Sequence, residues 1–167
     1  KGLKAAIFGS PLISTPQWVA DNREWITMLP QKYQDAINTH EAAGTFDDPE
    51  YREAEDAFYD QHMCHGECVD YGFRKDSKSG NRTMYRTMWG PSEFTANGTL
   101  KDYDISPKLH TVEVPVLMIC GEYDEAAPKS CKKFADMVPI AENVVVPNAG
   151  HAILGEAKDM VIATIRE

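Results

Sequence analysis

The sequence predicts an α/β fold in which two segments of a parallel sheet are separated by a long helical insertion. Three observations carry this. Val114–Cys120 is an almost uninterrupted apolar run, as expected of a strand buried on both faces. From residue 111 onward the pattern alternates strand, helix, strand, helix. Between the apolar ends, residues 14–110 are polar and carry helix-period hydrophobic spacing.

Residues 1–13 form the first core segment. "LKAAIF" is a short apolar run stopped by Gly9 and Pro11, which reads as a buried strand. Residues 14–110 are the insertion. Thr15 is the expected N-cap of its first helix, with Pro16 at the first helical position. Trp18, Trp25, Met28 and Leu29 recur at helical spacing. A second helix, "QKYQDAINTHEAA", stops at Gly44. A third opens with Asp48 before Pro49 and places Tyr51, Ala54, Phe58 and Met63 near one face. "DYGFRKDSKSGN" is a loop by composition, and "RTMYRTMW" is a short helix closed by Gly90-Pro91. Residues 111–167 return to the core. They hold the Val114–Cys120 strand, a helix over Ser130–Val138, a second strand in "ENVVV", and one closing amphipathic helix in "GEAKDMVIATIRE".

Composition narrows the function. Seventeen basic against 26 acidic residues give a net charge of −9, which disfavours nucleic acid and anionic membranes as partners. The longest apolar runs suit strands, far short of the roughly 20 residues of a membrane span. Four cysteines are too few for a disulfide scaffold; Cys120 and Cys131 read as buried thiols, and a reducing cytoplasm is the expected compartment. The chain runs from Lys1 straight into a strand-like segment, so a piece of a longer polypeptide is expected.

In open parallel sheets, functional groups gather beyond the carboxyl ends of strands. Asp124 follows one predicted strand and His151 the next, the second half of the Ser…Asp…His order of α/β-hydrolases. The histidine would shuttle a proton between nucleophile and leaving group; the aspartate would orient the ring and stabilise its cation. Turn aspartates and chance Gly-His pairs give the same pattern. No G-x-S-x-G is present: "GPSEF" at 90–94 lacks the second glycine, and Ser10 precedes a proline. A hydrolase reading therefore expects the nucleophile upstream of Lys1.

The segment "MYRTMWGPSEFTANGTLKDYDISPKLHTVEVPVLMICGEYDEAAP" closely resembles the prolyl aminopeptidase (proline iminopeptidase) family of α/β-hydrolases. "HEAAGTFDDPEYREAEDAFYDQHMCH" resembles that family's cap domain and "PNAGH" its catalytic-histidine loop. The resemblance implies residues 1–13 as a core strand, 14–110 as a helical cap and 111–167 as the C-terminal part of the core. It implies Asp124 and His151 as triad acid and base, and Glu93 and Glu125 as carboxylates receiving the substrate's α-ammonium. Without it, Glu93 reads as a solvated loop acid and Glu125 as a helix-start acid favoured by the dipole. The family's serine and oxyanion glycines lie before the matched region, so the isolated chain is expected to be inactive. It is also expected to associate, with the missing portion or with another copy.

"HMCHGEC" at 62–68 offers zinc-type ligands, but Gly66 interrupts it and no second cluster completes a site, so no metal and no cofactor are expected. Cys64 and Cys68 could also form a redox pair. Trp89, beside Glu93, is a candidate wall for a prolyl ring; core packing is the plain reading of it and of the other aromatics. His40 and His110 read as structural or exposed. Other readings are a capped esterase or amidase for small neutral substrates, and a truncated protein that only binds.

Overall fold

The computed structural model describes residues 2–66 and 81–166. Strands β1 (Ala6–Gly9), β2 (Val116–Gly121) and β3 (Ala141–Val146) form a parallel sheet in the order β1–β2–β3. Pairing begins where Ala6 N–H donates to Pro115 O at 2.9 Å. Pro115 has no N–H, so it bounds β2 and lends only its carbonyl. Leu3 stays outside the ladder, 68% exposed, and the first strand is shorter than its apolar run suggests.

The period-2 alternation of β2 explains its unbroken hydrophobicity. Val116, Met118 and Cys120 pack on one face with Ile13, Trp18, Trp89, Leu109 and Phe134. Ile119 packs on the other with Val146, Ala149, Ile153 and Val161. Trp18 and Trp89 come from the insertion, so that first cluster joins it to the sheet. Burying a side chain of this size contributes about 1.5–3 kcal/mol.

The insertion closes at its base, where Thr15 N–H donates to Tyr103 O (2.8 Å) and Ile105 N–H to Ile13 O (3.0 Å). Helix α1 (Thr15–Ile26) is capped one residue earlier than expected: Ser14 Oγ accepts the Gln17 N–H, and Thr15 already lies in the helix. Helix α2 (Gln31–Ala43) ends at Gly44, and α3 (Pro49–His62) starts from Asp48, whose carboxylate accepts the Glu50 N–H at 2.9 Å. Ile26, Leu29, Ile37, Tyr51, Ala54, Phe58 and Phe94 form a separate core between these helices. Helix α4 (Arg82–Met88) leads through Trp89 to the "GPSEF" loop.

Helix α5 (Pro128–Ala135) begins on a proline at its first position. The expected single closing helix is two, α6 (Ile153–Glu156) and α7 (Lys158–Arg166), broken at Ala157 (φ −139°, ψ 42°). Glu156 turns back instead of continuing the helix, accepting the N–H groups of Gly150 (2.9 Å) and His65 (2.5 Å). Among the described residues no helix is long and apolar enough to cross a membrane.

Candidate active site

β2 runs into a tight turn that carries Asp124, fully buried. Both carboxylate oxygens are occupied. Oδ2 accepts from Ser10 Oγ (2.6 Å) and Gly121 N–H (3.1 Å); Oδ1 accepts from Ala126 N–H (2.8 Å) and lies 2.9 Å from His151 Nδ1. With the proton on Nδ1 donated to Asp124, Nε2 of His151 is the basic nitrogen.

His151 sits in the loop after β3, which turns at Asn148 in a left-handed conformation (φ 55°). The two turns approach too closely for a side chain at Gly121, where a Cβ would meet Gly150 O at 2.1 Å, and the end of α3 excludes one at Gly150, where a Cβ would meet His62 O at 2.8 Å. Burial alone would depress the His151 pKa. The hydrogen bond and charge of Asp124, with the charges of Glu125 and Glu93, outweigh it and raise the imidazole to about 9.

Glu125 follows Asp124, is fully buried, and has no hydrogen-bond partner on either carboxylate oxygen. Burial, reinforced by the charge of Glu93, pushes its carboxyl well above the ordinary range, against the pull of His151. Burial also raises Glu93, which accepts a 2.6 Å hydrogen bond from the Tyr85 hydroxyl. Its backbone is fixed from both sides: Glu93 N–H donates to Tyr59 Oη (3.1 Å), and Trp18 Nε1–H donates to Glu93 O (3.0 Å). Glu93, Glu125 and His151 thus lie within one another's electrostatic reach despite their separation along the chain.

Trp89 stands one ring back. It packs edge-on against Trp18 (5.9 Å between centroids), and Trp18 packs edge-on against His151 (5.7 Å). The two serines considered from sequence are otherwise engaged: Ser10 with Asp124 and the His151 carbonyl, Ser92 with Tyr51 and Thr95. Among the described residues no serine hydroxyl bonds the His151 ring.

Several site residues escaped the sequence reading. Ser10, at φ 46°, has no nucleophile pattern around it in the sequence, and in the fold it holds the aspartate. Trp18, Asn22 and Trp25 share one face of α1 at i, i+4, i+7. Trp25 Nε1–H donates to Asp124 O (3.1 Å), and Asn22 Nδ2 lies 3.4 Å from Glu125 O. That spacing was visible, but it signals core packing equally well. His62 reads from sequence as a candidate metal ligand; in the fold its Nδ1 lies 2.7 Å from Tyr123 O. Cys68 and nearly all of "DYGFRKDSKSGN" lie outside the described residues. Cys120 and Cys131 are free and buried. His40, 9% exposed, has Nε2 3.5 Å from Asp48 and 3.6 Å from Glu50 at the α2–α3 connection.

No protein-family model matches the chain. The proline iminopeptidase of Saccharolobus solfataricus is 34% identical over 166 residues, 99% of this chain and 54% of that protein. The proline iminopeptidase of Heyndrickxia coagulans is 33% identical over 98% of this chain and 57% of its own length. Among solved structures, VinJ superposes with a TM-score of 0.90 at 31% identity, over 99% of this chain and 56% of that one. The proline iminopeptidase of Mycobacterium smegmatis superposes with a TM-score of 0.84 at 33% identity, over 96% and 55%.

Proposed function

Because the chain belongs to the proline iminopeptidase family of α/β-hydrolases and spans about half the length of the curated relatives it matches, we propose that it is the cap and C-terminal core of a serine aminopeptidase. Its substrates are peptides with a free N-terminal proline or a similar small residue. The observation that carries this reading is Glu125, a fully buried carboxylate with no partner, in the field of Glu93 and beside an Asp–His pair.

An unpartnered buried carboxylate is costly unless a cation completes it. A substrate ammonium between Glu93 and Glu125 would do so, each contact worth about 4 kcal/mol at ~4 Å and an effective dielectric near 20, before desolvation. Anchoring the amino terminus there sets how far the scissile carbonyl reaches toward His151. His151 Nε2 would take the proton of a serine supplied by the rest of the hydrolase and pass it to the leaving amine. Asp124 would hold the ring and its cation throughout, and water would release the acyl group.

Oxyanion donors also belong to that other portion, so the segment alone does not turn over substrate. Strand β1 is an edge of the described sheet, and Ile7 on it is 49% exposed. That edge is where the serine-bearing portion, or failing it another copy, would pair.

The test uses the whole hydrolase, this segment joined to a serine-bearing portion. It should release proline from prolyl peptides and lose that activity when the proline nitrogen is acylated. Equal turnover of N-acylated amides or neutral esters would overturn the reading in favour of a general esterase or amidase.

A further inference from the structure

His62, the last residue of α3, is 3% exposed and reaches both catalytic turns at once. Its side chain serves the acid turn, with Nδ1 2.7 Å from Tyr123 O. Its main chain serves the histidine loop, with its carbonyl accepting the His151 N–H at 2.8 Å. The next rung repeats the contact, Met63 O accepting from Ala152 N–H at 2.9 Å. From α1, Trp25 Nε1–H donates to the adjacent Asp124 O. Consecutive carbonyls of the acid turn are therefore held by two insertion side chains that pack on each other at a tilt of 32°, Trp25 and His62 (4.7 Å between centroids). Phe58 packs against the same imidazole at 4.7 Å. His65 then stacks on the Tyr123 ring at 3.6 Å.

We infer that His62 is a positioning residue, a clasp through which the insertion fixes the acid turn and the histidine loop relative to each other and so sets the Asp124–His151 geometry. The inference rests on the proposed roles of Asp124 and His151. Burial lowers the His62 pKa, and a carbonyl acceptor requires a proton on Nδ1, so the ring works as a neutral Nδ1–H donor. Its rotamer is set by the flanking rings, so little freedom remains to be lost when that bond forms. The backbone contacts survive substitution, whereas the Tyr123 bond does not. The side chain can therefore be tested separately from the fold.

The experiment compares His62→Phe and His62→Asn in the whole hydrolase with a prolyl arylamide substrate. Phenylalanine fills the slot between Trp25 and Phe58 without a donor. Asparagine places an N–H near the position of Nδ1. Misplacing reacting groups by about 1 Å can lower a rate on the order of 100-fold. His62→Phe should therefore lower kcat by about tenfold or more at nearly unchanged KM and shift the acidic limb of the pH–rate profile, which reports deprotonation of His151. His62→Asn should restore most of both. A His62→Phe enzyme that melts earlier but keeps its kcat and pH profile would overturn the inference, as would loss of kcat in both variants alike. Asp124→Asn and His151→Ala run beside them: if either stays active, the catalytic assignment itself fails. If both are dead while His62→Phe is unchanged, only the clasp fails.

Discussion

Nδ1 of His151 lies 2.9 Å from Oδ1 of Asp124, 27 positions earlier in the chain. The aspartate is fully buried and braced by Ser10, Gly121 and Ala126, so the imidazole meets an acceptor that is already fixed. In the whole hydrolase, Asp124→Asn should lower kcat by about 10⁴-fold, because an amide permits the wrong tautomer at the ring. His151→Ala should abolish peptidase activity with little change in the thermal melt. Steady-state kinetics beside circular dichroism decide; near-wild-type turnover by either folded variant sinks the assignment.

Glu93 and Glu125 should act on the substrate's charge rather than on bond breaking. Glu93→Gln and Glu125→Gln are each expected to reduce kcat/KM for prolyl amides by about 100-fold, roughly 3 kcal/mol of the electrostatic anchor. Hydrolysis of small neutral esters should change far less. Comparable losses on both substrate types would remove the ammonium role.

Glu125 also carries a stability cost. Its folded-state pKa is raised, chiefly by burial, so its penalty is absent below the unfolded value near 4.3 and grows as pH rises above it. Glu125→Met should stabilise the chain by about 1–3 kcal/mol at pH 7 and by much less at pH 4. Urea melts at the two pH values test this; a variant less stable than wild type at pH 7 would mean that the buried carboxylate is satisfied.

His151 gives a second pH signature. Its folded pKa of about 9 lies above the ordinary 6.5 of histidine. The stabilisation from its charged form is therefore complete below about pH 6.5 and lost as pH rises through about 9. A ring-proton NMR titration should show that high midpoint, moving down in Glu93→Gln and Glu125→Gln. A midpoint near 6.5 in the folded chain would contradict the electrostatic arrangement. The same relation predicts that a bound ammonium, by neutralising the two glutamates, makes the imidazole easier to deprotonate.

Much of the arrangement is legible along the chain. The Val114–Cys120 run marks β2, because a strand covered on both faces has no polar side to show. Gly44, Asp48 and Pro49 mark their helix ends through local backbone chemistry. The acid after β2 and the histidine after β3 follow from where parallel sheets gather function. Other features were misplaced for equally physical reasons. Ser14 displaced Thr15 as a cap because either hydroxyl fits the local pattern. The closing helix split because Glu156 bonds the distant N–H groups of Gly150 and His65, which no helical periodicity reveals. Trp18 and Trp25 read as packing residues because the carbonyls they serve belong to other segments.

The sequence by itself determined the α/β rhythm, most helix boundaries to within about three residues, and the kinds of residue available for chemistry, since these depend on neighbours along the chain. Only the tertiary structure decided that Ser10 braces Asp124, that Glu125 is buried without a partner in the field of Glu93, and that His62 joins the turns bearing Asp124 and His151. Those contacts exist because the insertion packs onto the β2 face through Trp18 and Trp89. Such long-range packing brings together groups whose spacing in sequence carries no trace of their distance in space.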